Sequence, residues 1–148
     1  MSPKRRFLAA MFGGPVDRTP VGNVVSVVTT DLMAAAGVWF PQAHLDAEAM
    51  AQLAAAGHEV LGYDTVMPVF SVVQEAAVLG CQVDWGSPSM MPGVRTHPFA
   101  DDGPVRVPDG WLEAPAIQTV LAAIRWLRAA LGERVVIVGK VMGPWSLS

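Results

Sequence analysis

The chain is predicted to be an α/β protein with a parallel sheet, on three observations. Valine-rich runs at 21–28, 65–70 and 135–139 read as strands, helical periodicity separates them, and Gly or Pro closes nearly every segment. A strand–helix–strand–helix–strand order implies parallel pairing through right-handed crossovers.

Each element has its own signal. Ser2 is placed to cap a first helix with Pro3 in its first turn, and Phe7, Leu8, Met11 and Phe12 fall on one face before Gly13-Gly14. Val21–Val28 reads as a first strand covered on both faces. A short helix capped by Thr30 or Asp31 is predicted to stop at Gly37. The next helix takes Asp46 as N-cap, Leu45 and Met50 as a hydrophobic staple, and a stripe of Met50, Leu53, Ala54, Gly57, Val60 and Leu61, with its end at Gly62.

Thr65–Phe70 is predicted as the second strand, with Pro68 near its end because Pro donates no ladder hydrogen bond. A helical turn over Val72–Leu79 and an outlying strand over Cys81–Trp85 come next. Residues 86–110, rich in Pro, Gly, Asp and Ser, read as a long loop excursion of functional length. Ile117, Val120, Leu121, Ile124 and Leu127 give a helix over Ala116–Leu131 ending at Gly132, and Val135–Gly139 is the third strand.

Composition narrows the function. Apolar residues make up 52% of 148, charged residues only 16%, and the net charge is −3, so no basic surface for nucleic acid is present. The mean hydropathy of +0.38 belongs to a buried sheet, since no uncharged run approaches the roughly 20 residues of a membrane span. Lys4-Arg5-Arg6 before an apolar stretch is too short, and lacks the cleavage site, for a secretory leader. One cysteine, Cys81, excludes an internal disulfide and fits a reducing, cytoplasmic compartment. Three strands do not close a barrel of eight, which takes about 250 residues. The chain is therefore predicted to be a single, incomplete domain spanning 1–148, the alternative being a small open α/β domain.

Several segments in order resemble the uroporphyrinogen decarboxylase superfamily, and within it the cobalamin-dependent methyltransferase branch. They are Arg6–Ala10 with Pro15–Val21, Gly57–Pro68, Gln74–Gly86 and the final Gly143–Ser148. The resemblance implies the N-terminal part of a (β/α)8 barrel, with parallel strands under covering helices. It implies methyl transfer from a corrinoid protein to a small thiol, with zinc activating the thiol through a His-x-Cys pair and a later Cys in the C-terminal half. No zinc ligand is identified in this chain.

The decarboxylase activity of the same superfamily is an alternative that the residues disfavour. A polycarboxylate tetrapyrrole needs fixed cations, yet Ser26–Asp31 stands where the decarboxylases carry an Arg-Gln-Ala-Gly-Arg signature. Phe70-Ser71-Val72-Val73 likewise lacks the carboxylate of their Phe-Ser-Asp-Ile motif. A third alternative is an inactive fragment or interaction module, and exposed sheet edges predict self-association.

Four residues are candidates for a substrate pocket. Glu75, an isolated carboxylate after a strand end, is suited to orient substrate or support a metal ligand, or else caps a helix in solvent. Asn23 inside the first strand is a pocket hydrogen-bonding group or a satisfied core residue. Gly143 and Pro144 either let backbone approach a ligand or make an ordinary turn. Asp64, at a strand start, reads as structural. His58 has Gly62 four residues on, so it forms no paired metal motif, and His44 and His97 read as loop histidines. Cys81 reads as a packed thiol, and Trp85 with Met90-Met91 as core or as part of a partner face. Arg125, Arg128 and Arg134 read as a solvated outer face.

Overall fold

A computed structural model describes residues 1–24, 28–98 and 106–147, except the side chains of Pro144 and Trp145. Local signals set most helix ends. Helix α1, Pro3–Met11, starts on Ser2, whose Oγ accepts the Arg5 N–H at 3.4 Å. Helix α2, Thr30–Ala36, is capped one residue earlier than predicted: Thr29 Oγ1 accepts the Leu32 N–H at 3.2 Å. It stops at Gly37, whose φ of 67° suits a residue without a Cβ. A short helix α3, Gln42–Leu45, follows where only a loop was predicted. Helix α4, Ala47–Glu59, takes Asp46 as its N-cap, with Oδ1 accepting the Ala49 N–H at 2.8 Å.

The core lies between α4, the sheet and helix α6, Pro115–Leu131. Met50, Leu53 and Ala54 of α4 pack with Ala123, Leu127 and Leu131 of α6 and with Val66, Phe70 and Val135. Two packing expectations are corrected there. Leu45 is 50% exposed while Met50 is fully buried, so the staple does not close; Leu45 ends α3 on the rim of a cavity. Val60 and Leu61 also stay exposed, because α4 ends at Glu59 and leaves them in the turn before Gly62.

The second and third strands pair as predicted, though over fewer residues. Strand β1, Thr65–Val66, runs parallel to β4, Val136–Ile137, with Thr65 opposite Val136 and Val66 opposite Ile137. The ladder extends on both sides through Val136 N–H to Asp64 O at 3.3 Å and Val138 N–H to Val66 O at 2.9 Å.

Of the first predicted strand, residues 25–27 lie outside the described residues. Its entry runs beside β1: the Asp64 N–H donates to Val21 O at 2.6 Å, and Thr65 Oγ1 donates to Asn23 O at 3.3 Å. Val21 and Val24 are each 51% exposed, which corrects the expectation of cover on both faces.

Helix α5, Gln74–Val78, follows the end of the β1 segment. The outlying strand is β2, Val83–Asp84, and residues predicted as loop supply its antiparallel partner β3, Gly93–Val94. A turn from Ser87 to Met90 joins them. Gly86 is required there, since a Cβ would lie 2.1 Å from Met90 O and its φ is 77°. A 3-10 turn at Trp111–Glu113 leads into α6, and a short helix α7, Pro144–Leu147, follows β4.

Ion pairs tie α1 to the sheet. Phe12 and Met11 are exposed by 87% and 68%, whereas Arg6 is the buried residue of the helix, which corrects the predicted apolar face. The Arg6 guanidinium donates to Asp64 Oδ1 at 2.6 Å and to both oxygens of Asp17. Asp64, fully buried, also accepts from Arg18 and from the Val21 N–H at 2.8 Å. Burial raises the pKa of the Asp64 carboxyl, but that N–H and the two arginines outweigh it and hold the group below the usual carboxylate range. The structural reading of Asp64 therefore stands.

Candidate functional site

Loops that follow the C-terminal ends of parallel strands carry the chemistry in α/β barrels, and here those are the segments after β1 and β4. Glu75 sits in the first turn of α5, half-buried. Its Oε1 accepts the Met142 N–H at 3.1 Å, tying the segment after β1 to the segment after β4. Lys140 reaches across from the β4 side, and its Nζ donates to Val69 O at 3.3 Å. Burial lowers the Lys140 pKa, and the Glu75 carboxylate partly offsets that.

Glu75 and Lys140 border one cavity of about 420 Å³ with Leu79, Leu121, Ile124 and Val141. This explains the α6 periodicity. Ala123, Leu127 and Leu131 form its buried stripe, while the predicted positions Ile117, Val120, Leu121 and Ile124 are half-buried and line the cavity.

The structure thus brings Glu75 together with the 140–143 segment. Gly143 is exposed, and its carbonyl accepts the Ser146 N–H at 3.0 Å to open α7, which Pro144 begins. Asn23 lies elsewhere, in a small crevice beside Thr65 and Met67. Lys140 was missed by sequence reasoning; the available signal was a single cation in the apolar run from Val135 to Met142.

A second cavity of about 440 Å³ lies under the β2–β3 hairpin, bordered by His44, Trp85, Trp111, Asp109 and Thr119. His44, predicted as a loop residue, is instead fully buried in α3. Its ring stacks on Phe40 with centroids 4.1 Å apart, and neither ring nitrogen has a hydrogen-bond partner among the described residues. Burial pushes its pKa down to about 4, so the imidazole is neutral at pH 7.

Other titratable residues fall apart. His58 Nδ1 lies 2.8 Å from Tyr63 O, a contact in which the ring nitrogen is the donor, and His97 is exposed. Cys81 is a half-buried free thiol. Among the described residues no cluster of three or more His, Cys, Asp or Glu side chains is arranged to hold a metal ion. No helix among them is long and apolar enough to cross a membrane.

Comparison with known proteins places this arrangement. A methylated-thiol–coenzyme M methyltransferase of Methanosarcina mazei is 38% identical over the whole chain, which spans 40% of that protein. A methylcobamide:CoM methyltransferase MtbA of the same organism is 34% identical, covering 99% of the chain and 44% of the relative. A uroporphyrinogen decarboxylase of Trichlorobacter lovleyi is 30% identical, covering 97% of the chain and 42% of its own length. The solved structure of a methyltransferase from Methanosarcina mazei superposes with a TM-score of 0.90 at 35% identity, over 99% of this chain and 44% of that one. The chain therefore spans about two fifths of the length of these relatives, and its α/β fold is that of part of a (β/α)8 barrel. The family model for uroporphyrinogen decarboxylase (URO-D) matches residues 2–148, and the chain belongs to that family.

Proposed function

We propose that this chain is the N-terminal segment of a corrinoid-dependent methyltransferase, one truncated domain acting in the cytoplasm, that moves a methyl group from a methylated corrinoid protein to a small thiol. The observation that carries this reading is similarity over essentially all of this chain, at 34% to 38% identity, to about two fifths of relatives named for methyl transfer to coenzyme M. The site chemistry agrees with a compact acceptor: a mainly apolar cavity of about 420 Å³ with, among the described residues, one carboxylate and one ammonium, rather than the several cations that a polycarboxylate tetrapyrrole needs.

In this reaction the methyl group leaves the corrinoid without the cobalt–carbon bonding electrons. It forms a bond to the thiolate sulfur, and the thiol proton passes to solvent. The family resemblance implies zinc as the thiol activator, but the described residues of this segment do not fit it: Cys81 stands without a second ligand, and His58 is committed to a backbone carbonyl. No step is therefore assigned to zinc here. This segment's own part is to supply a wall of the acceptor cavity and, through Trp85 and the exposed Met90 and Met91, a face toward the corrinoid protein.

The test is complementation. The chain is mixed with the separately produced C-terminal portion of a methyltransferase relative and a methylated corrinoid protein, and thioether formation is followed with loss of the corrinoid methyl absorbance. Activity that needs both polypeptides is expected. A complex that forms but moves no methyl group sinks the reading.

A further inference from the structure

The cavity of about 440 Å³ under the β2–β3 hairpin has walls of a different character from the 420 Å³ cavity, although Trp111 borders both. Two indole side chains border it, Trp85 just past β2 and Trp111 in the turn before α6. Apart from His44, Asp109 is the only titratable residue among the described residues on that border. A second carboxylate stands at the rim: Glu113 Oε2 lies 3.5 Å from where a Cβ on Gly110 would be.

His44 adds no positive charge. Its ring lies between those of Phe40 and Trp85, with centroids 4.1 Å and 6.3 Å away, and burial keeps the imidazole neutral at pH 7. The first turn of α6, which has no side-chain cap, does put a partial positive charge on the border at Ala114–Ala116. That helix end counts for about half an elementary charge, less than the carboxylate of Asp109 supplies. The balance of charge among the described residues on the wall is therefore negative, beside two aromatic side chains.

A cation gains from both features. An indole attracts positive charge through the negative face of its π system, most strongly when the cation is poorly hydrated. N-methyl groups meet that condition, because they spread the charge over apolar surface and leave fewer N–H groups for water to hold. A neutral molecule of the same shape gains the apolar contact alone, and a bare ammonium keeps its water.

We propose that the cavity bordered by Trp85, Trp111 and Asp109 is a binding site for a small quaternary or N-methylated ammonium compound. The volume suits such a guest with a short polar arm, since small-molecule sites span roughly 300–1000 Å³. Occupancy of this site requires no methyl transfer, so the two readings fail separately.

The 148-residue chain is titrated with choline chloride and with neohexyl alcohol, the uncharged isostere in which carbon replaces nitrogen. Ionic strength is held constant, and tryptophan fluorescence and the heat of binding are followed. Choline should bind saturably and at least about fivefold more tightly than the alcohol, and ammonium chloride should not displace it. Asp109→Asn, at an exposed position, should weaken choline at least about threefold and leave the alcohol unchanged. Trp85→Leu should weaken choline likewise, Trp85→Phe should restore part of the loss, and Glu75→Gln in the other cavity should change nothing. Where Trp85→Leu loses the hairpin, Asp109→Asn decides alone. Equal binding of the alcohol, displacement by ammonium at equal concentration, or no saturable binding of choline overturns the proposal. So does choline binding that Asp109→Asn leaves unchanged, or that Glu75→Gln weakens as much as Asp109→Asn, which would put the cation elsewhere.

Discussion

Burying an imidazole whose two nitrogens find no partner among the described residues, as at His44, costs stability unless something else is gained. Replacing it with an apolar side chain removes that cost, so His44→Leu is expected to stabilise the fold at pH 7 by about 1 kcal/mol, within the usual 1–3 kcal/mol for an unmet polar group. The pH dependence has a definite sign. With a folded pKa of about 4 against 6.5 unfolded, His44 binds more protons unfolded, so stability falls as pH drops from 6.5 towards 4. Asp64 acts lower: its depressed carboxyl contributes stability above its unfolded pKa and loses it only as pH falls through the folded value. Thermal melts at pH 5, 6 and 7 should show a gap in favour of His44→Leu that widens toward pH 5; a variant less stable at every pH refutes this. Neither His44 nor Arg6 was legible from the sequence. Arg6 finds Asp17 and Asp64 at 11 and 58 residues' separation, and His44 is sealed by Phe40 on one side and by Trp85 from the later hairpin.

Helix boundaries were legible because the groups that set them are neighbours in sequence. Asp46 caps α4 through a residue three positions on, and Gly37 terminates α2 through its own backbone. Strand lengths were less legible. Hydrophobic run length reports burial, whereas a ladder needs a partner in register, and β1 and β4 meet only at two paired positions. The α6 stripe shows the same limit. Periodicity gave its apolar positions but not that Leu127 is fully buried while Ile124 borders a cavity. That difference has a measurable consequence. Leu127→Ala removes a packed side chain between α4 and the sheet and should cost about 2–5 kcal/mol in urea unfolding. Ile124→Ala only enlarges an existing cavity and should cost roughly half as much or less. Equal losses at the two positions would show that α6 is packed uniformly.

At the scale of the whole chain, parallel pairing was legible because crossover helices constrain strand direction, while the arrangement of apolar surface was not. The β4 end of the structure presents Val141 at 85% exposure and a cavity wall of half-buried α6 side chains, and the α1 end presents Phe12 at 87%. In the structurally similar methyltransferase these residues correspond to under half of the chain. A strand edge and exposed apolar side chains such as Val141 and Phe12 favour association, since pairing buries both backbone donors and apolar area. The 148-residue chain in isolation is accordingly expected to sediment as concentration-dependent oligomers rather than as one species. Because the driving force is apolar, added ammonium sulfate should strengthen association rather than screen it. Val141→Asp places a charge on the most exposed apolar position of the β4 end and should shift the distribution toward monomer without changing the helical signal. Sedimentation velocity over a dilution series, with and without sulfate, reads both effects. A single monomer boundary at every concentration, or oligomers indifferent to Val141→Asp, would show that this edge drives no association.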